Sequence, residues 1–199
     1  QAVLDDAIAD GAIDGTGTMT DGTYDMIILC LHQRIAIQMV QEALPKIPAG
    51  TILVDTCGLK GRMVRDLTYR CRKADVRYVG THPMAGREKN GYYASIPNLF
   101  QNANLIVTPV DGTDEASLDT VKELADQMGF GKIVTATPMW HDNMIAYTSQ
   151  LAHVVSSSYV KDFCMDDALS FSGGSFQDMT RVATMDESMW AALFLDNRD

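Results

Sequence analysis

Short apolar runs alternate with helical stretches along the chain as far as residue 137. Each run has the length and character of a strand buried in a parallel sheet. This alternation is typical of a doubly wound α/β sheet that is mostly parallel and has helices on both faces. The predicted strands are 25–31, 51–54, 76–79, 105–108 and 133–136, and the predicted helices are 35–44, 61–72 and 114–128.

The pattern changes at Pro138, beyond which no further strand is predicted. Proline is favoured in the first turn of a helix, because the amide proton that it lacks would have no partner there. The helix-compatible residues that follow extend to Tyr159 or Phe163. A long helix leaving a sheet is typical of a link to a second domain. We therefore expect an α/β domain over residues 1–137 and the start of an all-helical domain over residues 138–199.

The net charge of the chain indicates which kinds of binding partner are unfavourable. The 199 residues carry a net charge of −10, and the pI is near 4.7. This argues against nucleic acid, and an anionic substrate would need local cations. No apolar run reaches the roughly 18 residues of a membrane-spanning helix. The first residues lack the features of a signal peptide, and the absence of an initiator methionine predicts that residues precede Gln1.

The cysteines indicate a reducing compartment. None of the four belongs to a Cys-x-x-Cys pair, so we expect reduced thiols in a cytoplasmic protein and no disulfide framework. His141 and Asp142 are adjacent, but no further ligands follow at the spacing of a metal site, and none is predicted. The four cysteines are Cys30, Cys57, Cys71 and Cys164.

His82 is the first candidate for chemistry. It follows the third predicted strand directly, and Pro83 after it favours an extended backbone. A polar loop with Gly86 and Gly91 comes next. Reactive groups in α/β folds are placed at such strand ends. From these residues alone, His82 is either a catalytic base or a loop histidine that is hydrogen-bonded to backbone.

Three motifs carry a resemblance to a known family. Residues 82–92, His-Pro-Met-Ala-Gly-Arg-Glu-Lys-Asn-Gly-Tyr, resemble the His-Pro-Met-Ala-Gly-x-Glu-Lys-Ser-Gly-Tyr signature of the prephenate/arogenate dehydrogenases of tyrosine synthesis. Residues 149–153, Ser-Gln-Leu-Ala-His, resemble the family's Ser-His-Leu-Pro-His helix motif. Residues 173–183 resemble its Gly-Gly-Gly-Phe-x-Asp-x-Thr-Arg-Ile-Ala motif. The motifs occur in the family's order, so together they are specific.

The resemblance implies a Rossmann-like fold and NAD or NADP as cofactor, with NAD favoured. It places residue 1 after the second strand of the nucleotide-binding sheet, so the first βαβ unit with its glycine-rich phosphate turn is expected to be missing. Residues 15–20 are no substitute, because they follow no strand and open no helix. We therefore expect the chain alone to be nearly inactive. The implied cofactor-flanking residues are Cys30, Leu31, Thr56 and Cys57.

The resemblance also assigns roles around the substrate. It implies that His82 removes the hydroxyl proton, and imidazole titrates in the right range for this task. It implies that Arg181 binds a substrate carboxylate, which suits a planar guanidinium, and that Asp178 orients Arg181. From the residues alone, Arg181 could also be a surface arginine paired with Asp178, and Trp190 could be simple core packing. The other implied substrate-site residues are Ser149, His153, Gly174, Glu88 and Trp190.

Departures from the family pattern concern orientation and specificity. Gly58 stands where the family has a serine that hydrogen-bonds the catalytic histidine, and Gln150 and Ala152 replace a histidine and a proline. These changes bear on substrate preference more than on the type of reaction.

The predicted function is oxidative decarboxylation of prephenate to 4-hydroxyphenylpyruvate by a homodimer, with hydride transfer to NAD(P)+. The alternatives are arogenate dehydrogenase and a non-catalytic dimerising or binding module. A β-hydroxyacid dehydrogenase is disfavoured, because such enzymes use a lysine in the long helix and residues 141–160 contain none.

Overall fold

The computed structural model describes residues 1–22, 24–87, 91–162 and 165–198. By internal contacts the chain separates into two compact units, Gln1–Pro138 and Met139–Asp199. The first unit contains the sheet, and the described part of the second is helical. Among the described residues, no helix combines the length and the apolar character needed to cross a membrane.

The sheet of the first unit is mostly parallel, as predicted. It has five strands in the order β1-β2-β3-β4-β5. β1, β2 and β3 run parallel, as do β4 and β5, whereas β3 and β4 are antiparallel. Antiparallel neighbours need no helical crossover, and between β3 and β4 the described residues form only a 3-10 turn at Tyr92–Ala94. The strands are β1 Met26–Leu29, β2 Ile52–Asp55, β3 Arg77–Pro83, β4 Asn104–Val107 and β5 Lys132–Thr135.

β3 is longer than predicted, and it changes its partner along its length. Residues 77–80 pair with β2, and Thr81, His82 and Pro83 pair with β4. His82 therefore lies inside a strand, opposite Ile106, and not just beyond its end. The antiparallel pairing to β4 extends the strand. The Met84 amide donates to the Asn104 carbonyl oxygen on the β4 side, so the Pro83 nitrogen faces the opposite side, where pairing with β2 has already ended and no donor is needed.

Helices cover both faces of the sheet. Successive strand residues point to opposite faces, so Leu53 packs in one core and Val54 in the other. The first core lies under α2 and α3, and the second lies under α4. This confirms the doubly wound arrangement. The helices are α1 Ala2–Ala9, α2 Gln33–Ala43, α3 Gly61–Lys73 and α4 Glu115–Gln127.

The predicted long helix begins at Pro138, the last residue of the first unit, and forms the start of the second. It runs as α5 (Pro138–Ile145), a π-helical turn (Ala146–Gln150) and α6 (Leu151–Tyr159). The helix thus ends at the earlier of the two predicted residues. The π turn was not predicted, and such turns occur often at functional sites. Among the described residues, three α-helices and one 3-10 helix follow: α7 Met165–Ala168, the 3-10 helix Leu169–Phe171, α8 Gly174–Arg181 and α9 Glu187–Asp196.

Candidate functional site

His82 lies against the loop that follows β2. This histidine is partly buried and belongs to β3. A Cβ atom added to Gly58 would lie 3.9 Å from His82 Nε2 and 4.0 Å from Cε1, an ordinary contact distance. The glycine thus leaves a gap of side-chain size beside the imidazole. A small hydroxyl side chain at position 58 would fit there and reach the ring.

A buried charge pair anchors this loop at both ends. The side chains of Asp55 and Lys60 are both 0% exposed, and Lys60 Nζ donates to the Asp55 carboxylate and to the Thr81 carbonyl oxygen. The Cys57 amide donates to Asp55 Oδ1 at 2.9 Å, and the Tyr78 hydroxyl donates to Oδ2 at 2.6 Å. Burial, and secondly the Asp55 charge, raise the pKa of Tyr78 well above its usual value, so the phenol remains a donor.

The burial and pairing of Asp55 and Lys60 were not predicted from the sequence. Lysine and aspartate are almost never fully buried unless they are paired, so a lysine in a loop is ordinarily interpreted as solvated. One signal was available in the sequence. Asp55 closes an apolar strand, and Lys60 follows five residues later beside Leu59. An acid and a base at the two ends of a short loop could have indicated a pair.

The carboxyl ends of β1 and β2 form the predicted cofactor side. Both the amide and the hydroxyl of Thr56 donate to the Leu29 carbonyl oxygen at 3.2 Å, and Cys57 Sγ donates to the Leu31 carbonyl oxygen at 3.4 Å. The loops that contain Cys30 and Thr56 are therefore bonded to each other. Cys30 is exposed, whereas burial raises the pKa of the Cys57 thiol to about 12, so Cys57 is not a nucleophile near neutral pH.

These strand ends fit one side of a nucleotide. Ligands of α/β sheets bind outside the carboxyl ends of parallel strands, and Leu31 offers an exposed apolar surface there, at 40% exposure. Residues 15–17 form a loop that leads into a turn closed by Thr18 and Asp21, with the Thr18 hydroxyl donating at 2.6 Å. Residues 15–17 themselves open no helix. The exposed Leu31 side chain suits an apolar part of such a ligand better than a phosphate group.

The second unit brings Ser149, His153 and Trp190 together. The His153 and Trp190 rings stack with centroids 3.6 Å apart and an interplanar angle of 25°. His153 Nδ1 lies 3.0 Å from the Ser149 carbonyl oxygen. A carbonyl oxygen only accepts hydrogen bonds, so Nδ1 carries the proton. Nε2 is then the ring nitrogen that remains for a ligand.

The remaining predicted residues of this unit lie on α8. Gly174 begins the helix and lines a groove of about 720 Å³ with Tyr159 and Phe171. Asp178 lines a different groove, of about 520 Å³, with Tyr147. Arg181 occupies the last turn of α8 and is exposed. Glu88 lies outside the described residues.

Gln150 is a third residue whose role was not predicted from the sequence. It is buried, its Nε2 donates to the Leu193 carbonyl oxygen at 3.2 Å, and its Oε1 accepts from Asn197 Nδ2 at 2.8 Å. Leu193 belongs to α9, the helix that also contains Trp190. The residue that replaces the family's histidine thus ties the long helix to the helix bearing Trp190.

The fold and these strand-end loops define a class of protein, an α/β nucleotide-binding unit followed by a helical unit. The sequence model of the prephenate dehydrogenase nucleotide-binding domain matches residues 4–135, and that of the prephenate dehydrogenase dimerization domain matches residues 137–199. The chain belongs to the prephenate dehydrogenase family.

Individual relatives agree with this assignment. The chain is 30% identical to the cyclohexadienyl dehydrogenase of Zymomonas mobilis, covering 87% of this chain and 60% of the relative. It is 31% identical to the prephenate dehydrogenase of Bacillus subtilis, and the match covers 74% of this chain and 41% of that relative. The fold is similar to the structure of prephenate dehydrogenase from Aquifex aeolicus in complex with hydroxyphenyl propionate and NAD+. The TM-score is 0.81 at 29% identity, and the match covers 98% of this chain and 70% of that chain. The chain thus spans 41% to 60% of the length of these two curated relatives.

Proposed function

We propose that the protein containing this chain oxidises and decarboxylates prephenate to 4-hydroxyphenylpyruvate, with hydride transfer to NAD+, in the tyrosine pathway of the cytoplasm. Membership of the prephenate dehydrogenase family supports the reaction. The observation that carries the proposal is His82, which lies near the carboxyl end of β3, the central strand of the sheet, against an anchored loop. NAD+ is favoured over NADP+ because the Aquifex aeolicus structure holds NAD+.

His82 supplies the base in this proposal. Its imidazole accepts the proton of the substrate's ring hydroxyl, and this needs a group that titrates near neutral pH. NAD+, when bound, supplies the acceptor for the hydride that leaves the same carbon. The bond between the ring and its carboxylate then breaks and CO2 is released. The electron pair moves through the ring to its oxygen, the ring becomes aromatic, and the oxygen takes back the proton held by His82. The residues proposed to flank the cofactor are Cys30, Leu31, Thr56 and Cys57.

The second unit supplies groups for the rest of the substrate. Prephenate is a dianion and the chain has a net charge of −10, so a local cation has to hold a carboxylate. Arg181 is proposed for this role, oriented by Asp178. His153 offers Nε2 for a hydrogen bond, and Trp190 braces the imidazole by stacking on it. Ser149 and Gly174 complete the proposed substrate-binding set, and Glu88 is proposed as a gating residue from the family motif.

The helical unit is proposed to form a homodimer. It matches the family's dimerization domain. Its long helix leaves a row of large apolar side chains exposed at helical spacing, and exposed apolar rows of this kind mark interfaces between proteins. The row consists of Trp140, Met144, Tyr147, Leu151 and Val155. Sedimentation equilibrium tests this proposal, because a single monomeric species at micromolar concentration would contradict it.

The same residues allow a second substrate, arogenate, which carries an amino group in place of the side-chain keto group. The name of the Zymomonas mobilis relative refers to the cyclohexadienyl class and favours neither substrate. The test is to incubate a purified protein containing residues 1–199 with NAD+ and either substrate, and to follow NADH and the aromatic product. We expect turnover with prephenate. NAD+ binding without turnover of either substrate would instead identify a binding module.

A further inference from the structure

We infer that Lys60 is a positioning residue for His82, and that it acts through the backbone of Thr81. The inference rests on the proposed role of His82 as the base. Lys60 does not reach the substrate in this scheme. Its ammonium group bonds the Asp55 carboxylate and the Thr81 carbonyl oxygen, and Thr81 is the residue that precedes His82.

The position of Lys60 follows from the way β3 changes its partner. β2 and β3 are paired as far as Asp55 and Gly80, and the β2 chain then turns away into its loop. The Gly80 carbonyl oxygen accepts from the Thr108 amide at 2.9 Å, on the β4 side. Successive carbonyl groups of a strand point in opposite directions along the sheet, so the Thr81 carbonyl faces the side that β2 has left. Lys60 Nζ supplies the donor there that the strand ladder no longer provides.

A second side-chain bond bridges the same point in the opposite direction. The Thr81 hydroxyl donates to the Asp55 backbone carbonyl oxygen at 2.6 Å. Two backbone carbonyl groups, those of Asp55 and Thr81, lie where β2 and β3 diverge. Each of them accepts a hydrogen bond from a side chain. Lys60 and Thr81 together keep β3 in register through His82 after its pairing with β2 has ended.

The packing leaves little freedom at this point. A Cβ atom on Gly80 would lie 2.6 Å from Thr108 Oγ1, so the backbone before Thr81 is tightly enclosed. The Asp55–Lys60 pair also fixes both ends of the loop that contains Gly58, which adjoins the His82 ring. One charge pair therefore fixes the position of the His82 backbone and also the position of the loop that adjoins its imidazole.

Stability alone is a poor explanation for this pair. Removing two charges from water is costly, and apolar residues of similar volume often replace a buried ion pair without loss of stability. Positioning of a catalytic group is a stronger reason for the pair, because an error of about 1 Å in the placement of such a group can reduce a rate about 100-fold.

The test compares Lys60→Met and the charge-balanced Asp55→Asn/Lys60→Met with Met63→Ala. Met63 is 0% exposed in the core under α3, so its truncation destabilises the same unit while both members of the Asp55–Lys60 pair remain present. The His82 ring resonances, assigned by their loss in His82→Asn, are recorded by NMR without substrate. Melting temperature, kcat and KM are measured in parallel. If Lys60→Met alone does not fold, the double variant carries the test, since it leaves no unpaired buried charge.

We expect both Lys60 variants to shift the His82 resonances and to lower kcat by about 10- to 100-fold, with the KM for prephenate changed by less than about two-fold. Met63→Ala should lower the melting temperature and leave the His82 resonances in place. Unchanged resonances in the Lys60 variants, or an equal loss of kcat in Met63→Ala at a similar melting temperature, would overturn the inference. Failure of the proposed function can be distinguished from failure of this inference. The shift of the His82 resonances in the Lys60 variants is recorded without substrate, so it can be observed even if the wild-type protein is inactive.

Discussion

The His153 imidazole stacks on the Trp190 indole at a centroid distance of 3.6 Å, while its Nδ1 donates to the carbonyl oxygen one helical turn earlier. One contact fixes the plane of the ring, and the other fixes its tautomer. The histidine is therefore oriented before any ligand binds, with Nε2 as the nitrogen available to it. Preorganisation of this kind reduces the cost of binding.

A double-mutant cycle measures the stacking contact directly. We expect His153→Ala and Trp190→Leu to show a coupling of about 0.5–1.5 kcal/mol in the free energy of unfolding, the range measured for aromatic pairs. Urea denaturation of the wild type, the two single variants and the double variant supplies the cycle. Additive effects within error would mean that the rings merely lie side by side.

His82→Asn tests the base. We expect kcat to fall by about 10²–10⁴, the usual contribution of general base catalysis, with little change in the KM for prephenate. Asparagine keeps the size and some hydrogen-bonding capacity of the side chain, but it cannot accept the proton. Steady-state kinetics with saturating NAD+ measure both constants. A kcat within a few-fold of wild type would remove His82 from this role.

Arg181→Gln tests the carboxylate contact. We expect apparent binding of prephenate to weaken by roughly 2–3 kcal/mol, the scale of a lost hydrogen bond to a charged group, while affinity for NAD+ stays the same. Arg181→Lys is the matched control, because it keeps the charge but loses the planar fork. An unchanged KM in both variants would indicate that Arg181 is a surface residue paired within α8.

Gly58→Ser tests the gap beside His82. An added Cβ atom would lie 3.9 Å from His82 Nε2, so the side chain fits without a clash. We expect the hydroxyl to hydrogen-bond the imidazole and to raise kcat. Gly58→Ala is the control, and it should stabilise the fold by about 0.4–1 kcal/mol through the unfolded state without raising kcat. Equal kcat values for the two variants would show that the hydroxyl has no effect.

The buried thiols predict a loss of stability at alkaline pH. Burial raises the pKa of Cys57 and of Cys71 from 9.0 to about 12. An unfolded thiol ionises near pH 9 and a folded one near pH 12, so the stabilisation is complete below pH 9 and is lost as the pH rises toward 12. Urea unfolding across this range, compared with Cys71→Ser, tests the sign. At pH 8, an alkylating reagent should modify Cys30, which is exposed, before either buried thiol.

Much of the fold depends on local pattern, and the sequence was sufficient for it. The apolar runs located all five strands to within a few residues. Pro138 marked the first residue of the long helix, because proline suits a helix start and little else in a helix. The family motifs selected His82, Ser149, His153 and Arg181 as candidates, since each motif is a contiguous stretch of residue types.

The tertiary structure decided what depends on residues that are distant in sequence. That β3 continues through His82 follows from its pairing with β4, more than twenty residues further along the chain. The burial of Lys60 depends on Asp55 and Thr81 meeting at the separation of two strands, and without those partners a lysine belongs in water. Gln150 similarly gained its role from Leu193 and Asn197, which lie more than forty residues further along the chain. Hydrogen bonds between distant segments leave no periodicity in a sequence, so only the folded chain shows which polar groups meet.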